Sequence, residues 1–342
     1  MALIVIAADK GAPGVTTTAL ALAAVWPRPV LLAECDPSGG DLVYRFPAAQ
    51  GNSLDPRRGL LTLAVAARRG LQPGQLWEHT QKMVGGLDVL TGVINAEQGT
   101  GLATLWGPLG GLFAGMSGGD VIADCGRLAA DGPQYDLIAQ AAVVLLVTRP
   151  TPGDVIRLRD RAAAVASAAN ARGRRGFTSA VAVIADQRTL KATAAEVSQT
   201  LTQGNVPAGV VGGLANDSKG AELLRGEWGG RLDKTLLIRT AREIAQQLAA
   251  SLPAAGDDDS GPQPSPSARA PSPPARGQSA RTHSVQPPYP PAVQPPYPPG
   301  PEPQAPPQYP PRQQQRGAGG RHSSLAQPAG AAEAGDGQWT TP

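Results

Sequence analysis

Several features are scarce in this 342-residue chain, and each scarcity removes a class of function. The two cysteines, Cys35 and Cys125, make no disulfide framework, and no Cys-x-x-Cys pair marks a zinc or redox site. Each lies beside a carboxylate, Asp36 or Asp124, so a shared redox or metal site is one reading and a pair of buried reduced thiols the other. The three histidines, His79, His283 and His322, are scattered and support neither a catalytic triad nor a zinc site. No apolar segment approaches the ~20 residues of a membrane span. The N-terminus, Met1-Ala2-Leu3-Ile4-Val5-Ile6-Ala7-Ala8-Asp9-Lys10, has no basic region before its short apolar run, so it reads as a buried strand and not a signal peptide. A formal charge of +3 is too small to imply nucleic acid or membrane by itself. A cytoplasmic protein is expected.

What is present is unevenly spread. Of the 35 prolines, 23 follow Ser251, and from Gly256 onward there is almost no Leu, Ile or Phe. Such a stretch cannot bury enough apolar surface to offset its ordering entropy. The expected organisation is therefore one folded domain over 1–252 and a disordered, Pro-rich tail over 253–342. Within the tail, Val285-Gln286-Pro287-Pro288-Tyr289-Pro290-Pro291 recurs as Val293-Gln294-Pro295-Pro296-Tyr297-Pro298-Pro299. A run of this kind favours polyproline II, which serves either as a solvated linker or as a ligand for an aromatic-lined groove on a protein partner.

In the first 252 residues short apolar runs alternate with Ala/Leu-rich segments. Strands are expected over Leu3–Ala8, Val30–Cys35, Leu87–Thr91, Val121–Asp124, Val143–Thr148, Ser179–Ala185 and Gly209–Gly212. Helices are expected over Thr17–Val25, Gly59–Arg69, Leu102–Met116, Gln134–Ala141, Asp154–Ala171, Thr193–Gln203 and Thr235–Ser251. The strands are rich in Val, Ile and Leu without strict alternation, as strands covered on both faces are. The pattern predicts an α/β fold, a doubly wound and mainly parallel sheet with helices on both faces.

The stretch between the first strand and first helix is Asp9-Lys10-Gly11-Ala12-Pro13-Gly14-Val15-Thr16-Thr17-Thr18. Inward-pointing N–H groups of a Gly-rich loop, together with a helix N-terminus, make a nest for phosphate oxygens. Thr16 stands where a hydroxyl would ligate Mg²⁺. These residues resemble the deviant Walker A motif, Lys-Gly-Gly-x-Gly-Lys-Thr-Thr, of the ParA/MinD-type P-loop ATPases. By that resemblance Gly11, Ala12, Pro13, Gly14, Val15, Thr16 and Thr17 form the phosphate loop. Lys10 matches the signature lysine, which in that family reaches across a nucleotide-sandwich dimer to the partner's phosphates.

Two departures bear on chemistry. Pro13 stiffens the loop and removes one donor. Val15 replaces the lysine that neutralises the β- and γ-phosphates, and a charge-assisted hydrogen bond of that kind is worth about 1.5–3 kcal/mol. Phosphoryl transfer depends on positioned positive groups. Weakened affinity for ATP and Mg²⁺, with weak or absent hydrolysis, is the expectation.

Three further matches extend the resemblance over roughly residues 1–250. Glu34-Cys35-Asp36-Pro37 stands for the family's Asp-x-Asp-Pro, with Asp36 the carboxylate that orients the attacking water. Asp120-Val121-Ile122-Ala123-Asp124-Cys125-Gly126 looks like the Walker B strand, which implies Thr16, Asp36 and Asp124 around the metal. Val143–Pro150 resembles the strand that precedes the helix near Asp154. After the strand ending at Ala185 relatives present an asparagine to the base; here Asp186 is the residue left to accept a hydrogen bond from an exocyclic amine. Ala215-Asn216-Asp217 stands where relatives carry a Pro-x-Asp loop near the base.

The resemblance implies a homodimer that positions or recruits a partner complex, by analogy with the TadZ/CpaE-like branch, whose phosphate loops are degenerate. An active ATPase of chromosome or plasmid partition and a nucleotide-free adaptor are the alternatives. Nonspecific DNA binding through Arg157-Leu158-Arg159-Asp160-Arg161 and Arg172-Gly173-Arg174-Arg175 stays open beside a solvated helix face and loop. The last helix has few flanking cations, which argues against membrane targeting.

Overall fold

In the computed structural model, residues 1–252 are described apart from 11–13, 71–72, 131, 175–176 and 226–230. The Pro-rich segment and its tyrosine repeats lie outside the described residues, as do Gly11, Ala12 and Pro13 of the phosphate loop and Arg175 of the second basic run.

The strands are β1 (Leu3–Ala8), β2 (Val30–Glu34), β3 (Gln81–Lys82), β4 (Asp88–Leu90), β5 (Asp120–Arg127), β6 (Val143–Thr148), β7 (Ser179–Ala185) and β8 (Ala208–Ala215). Among the described residues they form one eight-stranded sheet in the order β3-β4-β2-β5-β1-β6-β7-β8. Every pairing is parallel except β3 with β4. The helices are α1 (Val15–Val25), α2 (Leu42–Arg45), α3 (Leu60–Ala67), α4 (Ala96–Gly101), α5 (Trp106–Ala114), α6 (Tyr135–Ile138), α7 (Pro152–Ala171), α8 (Leu190–Gln203), α9 (Ser218–Leu224) and α10 (Leu236–Ser251).

The two helical layers explain the unbroken apolar strands. Leu3, Val5 and Ala7 of β1 face one core, shared with α3, α5, α6, α7 and α8. Ile4, Ile6 and Ala8 face the other, shared with α1 and α10. A strand buried on both sides has no polar position to alternate with, so all six residues of β1 are buried. The sheet is P-loop NTPase-like, and β1 lies at its centre between β5 and β6. Strand order reverses there, so the carboxyl ends of β1, β5 and β6 border the crevice where ligands sit in open α/β sheets.

Of the helix expected over Leu102–Met116 only α5, Trp106–Ala114, forms; α4 lies before that range, and residues 102–105 separate the two. Pro108 has no N–H, and inside a continuous helix its ring would meet the carbonyl of residue 104; in the first turn of α5 it is tolerated. Upstream, Asn95 caps α4 by accepting the Gln98 N–H at 3.0 Å. The short elements α2, α9 and β3 were not predicted, because two to seven residues carry no readable periodicity.

Candidate nucleotide and cation site

β1 delivers Asp9 and Lys10 to the crevice, and α1 begins at Val15 behind Gly14. Gly14 adopts φ 68°, a left-handed conformation that a Cβ disfavours, and no side chain caps the helix. The first-turn N–H groups of α1 are therefore left for an anion or solvent. The next residues diverge in role. Val15 is 2 % exposed and turned into the core with Ala19 and Leu22, so its side chain adds nothing to the crevice. Thr16 hydrogen-bonds the carboxylate of Asp124. Thr18 donates its hydroxyl back to the Gly14 carbonyl at 2.7 Å and ties the turn together.

The opposite wall is built from β2 and β5, which pair with Glu34 directly beside Asp124. Asp124 is 4 % exposed; it accepts the Gly126 N–H at 3.0 Å as well as the Thr16 bond, yet burial pushes its pKa up to about 6. Asp36, just past β2, accepts the Ser38 N–H at 2.8 Å, and burial raises its pKa too. The charge of Asp36 raises Asp124 in turn. Only a glycine fits between them and the chain: a Cβ on Gly126 would lie 1.8 Å from Asp36 Oδ2. Glu34, 3 % exposed, accepts the Leu42 and Gly92 N–H groups at 3.0 and 2.9 Å, and burial still raises its pKa to about 7. Among the described residues none of these three carboxylates forms an ion pair with a lysine or arginine. A hydroxyl bonded to one of several crowded, uncompensated carboxylates is a donor set that suits Mg²⁺ held partly through water. No group of three or more His, Cys, Asp or Glu residues makes an all-protein metal cage among the described residues.

Lys10 is exposed, and its backbone N–H bonds the Asp9 carboxylate at 2.6 Å. Its surroundings are a small cleft with Asp154, Arg157 and Arg161. Asp9 is itself held by Arg161 at 2.8 Å, and Arg161 also bonds the Tyr135 hydroxyl at 2.8 Å and the Ala129 carbonyl at 3.0 Å. This clamp across 152 residues had no signal in the sequence. On the other side of α1 a cavity of about 130 Å³ is lined by Gly14, Thr17, Thr18, Arg149, Ile184 and Asn216, among others. Asp186 is exposed at the end of β7, with its carbonyl accepting the Thr189 N–H at 3.0 Å, and it does not line this cavity. Asp217 does line it, but its carboxylate is engaged by the N–H groups of Gly220, Leu236 and Leu237.

Much of the basic character noted in the sequence is spent internally. Arg157 pairs with Asp154 at 2.7 Å, Arg159 with Asp160 at 3.0 Å, and Arg172 with Asp136. Arg174 donates to the Ala141 carbonyl and lies over the Phe177 ring. Both cysteines are free and buried, with burial holding their pKa values well above the ordinary thiol range. Among the described residues no helix is long and apolar enough to cross a membrane.

No protein-family model matches the chain. No curated protein matches it either. Solved structures do. A protein from Borrelia burgdorferi B31 described as a plasmid partition protein, bound to AMPPNP, superposes with a TM-score of 0.53 at 13% identity, over 73% of this chain and 99% of that one. The Pyrococcus furiosus cell division ATPase MinD gives 0.52 at 14% identity, over 73% and 98%. A ParA family ATPase from Chlorobium tepidum TLS gives 0.51 at 16% identity, over 72% and 98%. With identities this low the likeness establishes the architecture alone: the chain has the fold of the ParA and MinD ATPases.

Proposed function

We propose that this protein is a ParA/MinD-like nucleotide switch or pseudo-ATPase that dimerises and positions or recruits a partner complex. One observation carries the reading. The cation side of the crevice is intact, with Thr16 on Asp124 and Asp36 alongside, whereas the residue that should bring a lysine to the phosphates is Val15, turned into the core. Bound ATP would lay its phosphates against the uncapped first turn of α1, and Mg²⁺ would neutralise charge on them beside Thr16 and Asp124. Asp36 is the acid placed to orient water. Without the inner lysine, hydrolysis is weak or absent and binding acts as a switch. The Pro-rich tail supplies the recruiting arm, and the TadZ/CpaE-like branch, which places pilus or secretion machinery, is the nearest functional analogy.

The test is calorimetric titration of ATP with Mg²⁺ into the full chain, beside Thr16→Ala and Asp124→Asn variants. Weak binding by the parent, reduced about tenfold or more in both variants, is expected. Absence of binding by the folded parent refutes the switch and leaves a nucleotide-free adaptor.

A second reading, an active partition ATPase, is favoured by Lys10, whose ammonium makes no ion pair among the described residues and is free to serve a second copy. DNA-stimulated turnover that Asp36→Ala abolishes would select it.

A further inference from the structure

The sheet ends in two edges of different character. At one, β3 is two residues long and antiparallel. At the other, β8 runs for eight residues and, among the described residues, pairs only with β7. An open edge of that length presents unpaired N–H and C=O groups, which proteins ordinarily guard with charge, proline or a covering segment. The β8 sequence, Ala208-Gly209-Val210-Val211-Gly212-Gly213-Leu214-Ala215, offers no charge and no proline. Its first six residues are half-buried or exposed. The last is closed off, because the Thr240 hydroxyl accepts the Ala215 N–H at 3.0 Å.

Below that closure, α8 and α10 stand on the two faces of the strand and leave a groove of about 540 Å³ along Gly212 and Gly213. The glycines are required by the helices. A Cβ on Gly213 would lie 2.6 Å from Leu190 Cγ of α8, and one on Gly212 would lie 3.0 Å from Ile244 Cγ1 of α10. Both faces are thus occupied at close range, and the groove opens sideways, in the plane of the sheet.

Its rim is basic. Arg188 and Lys191 stand on the α8 side and Arg239 on α10, with Glu243 the one acid in the lining. All three cations are exposed, and among the described residues none makes a side-chain hydrogen bond or ion pair. That charge selects the occupant. A second copy adding its own β8 would bring two sets of the same cations together, which is repulsive. An extended segment carrying carboxylates matches it. Successive residues of a strand point to opposite faces, so one acid would meet Arg188 and Lys191 and the next would meet Arg239.

We propose that the β8 edge, between α8 and α10, is a docking site for an extended acidic peptide of a partner protein, which adds to the sheet as a ninth strand. Main-chain bonds supply the affinity and the basic rim supplies selectivity. The site is separate from the Thr16–Asp124 crevice and does not depend on nucleotide.

The test is fluorescence anisotropy with the full chain and a labelled, acetylated peptide, Thr-Val-Glu-Glu-Val-Thr-Val, whose adjacent acids fall on opposite faces of the strand. Saturable binding is expected, with hydrogen-exchange protection of amides within 209–213. N-methylation of alternate peptide residues should weaken it about tenfold or more by removing strand hydrogen bonds, as should Lys191→Glu with Arg239→Glu. The melting temperature checks those two exposed substitutions, and the N-methylated peptide needs no variant at all. Affinity that ignores N-methylation, or that Arg159→Glu reduces equally, overturns the proposal. Displacement by duplex DNA that is itself lost in the Lys191/Arg239 variant makes the groove a nucleic-acid surface and also overturns it. Binding seen only after Asp257→Asn, Asp258→Asn and Asp259→Asn would assign the edge to the chain's own acidic segment instead of a partner.

Discussion

Glu34 makes the fold's stability depend on pH in a direction opposite to that of most paired carboxylates. Burial between β2, Leu42 and Gly92 raises its pKa from the ordinary 4.5 to about 7, even though two backbone N–H groups bond it. The folded state therefore keeps the proton up to about pH 7, while the unfolded chain releases it near 4.5. The associated stability is fully present below pH 4.5 and is lost as pH rises through about 7. At 1.36 kcal/mol per pH unit that interval corresponds to about 3 kcal/mol. Glu34→Gln abolishes the titration but can accept only one of the Leu42 and Gly92 bonds well, which costs about 1 kcal/mol. The variant should thus be less stable than the parent by about 1 kcal/mol at pH 4, nearly equal to it at pH 5 and more stable by about 2 kcal/mol at pH 8. Asp124 shifts in the same direction and its charge adds to the rise in Glu34, so the difference between the proteins reports Glu34 together with that coupling. Urea unfolding followed by tryptophan fluorescence, without Mg²⁺ or nucleotide, measures it. Curves that stay parallel from pH 5 to 8, with the variant always weaker, would refute the reasoning.

Three other outcomes follow from the packing. Gly99→Ala would set a Cβ 2.0 Å from the Pro37 carbonyl oxygen, a backbone atom that cannot swing aside. A loss of about 1–3 kcal/mol is expected in chemical denaturation, and an unchanged melting temperature would contradict the geometry. Asp120 gathers the Ala2 N–H at 2.9 Å, the Trp26 indole at 2.8 Å and Arg28 at 2.7 Å. Asp120→Ala should cost about 3–5 kcal/mol, and a urea midpoint within error of the parent would rule out that role. Cys35 and Cys125 should resist a thiol reagent at pH 8 in the folded protein and react only at the rate of unfolding, because their buried thiols stay protonated. Rapid native-state labelling is the contrary result.

Much of the fold was legible because its information is local. β1, β6 and β7 run over the expected residues, since apolar runs bounded by polar turns mark strands covered on both faces. The alternation of strand and helix carried the doubly wound class in the same way, and the order of the motifs put Asp36 just past β2 and Asp124 within the neighbouring β5, beside Glu34. The late start of α5, which sets Pro108 in its first turn, could have been read from the same residue types but was masked by the apolar periodicity around it.

Other features had no local signature. That Val15 turns into the core while Thr16 meets Asp124 depends on how α1 lies against the sheet. Asp9 and Arg161 find each other only because the middle of α7 lies against the end of β1. The raised pKa of Glu34 follows from what encloses it, and the open edge at β8 follows from its place last in the strand order. The sequence by itself determined the elements, because main-chain propensity and apolar period act over a few residues. Burial, charge crowding and groove shape were decided by the tertiary structure, because each is set by atoms brought together from distant parts of the chain.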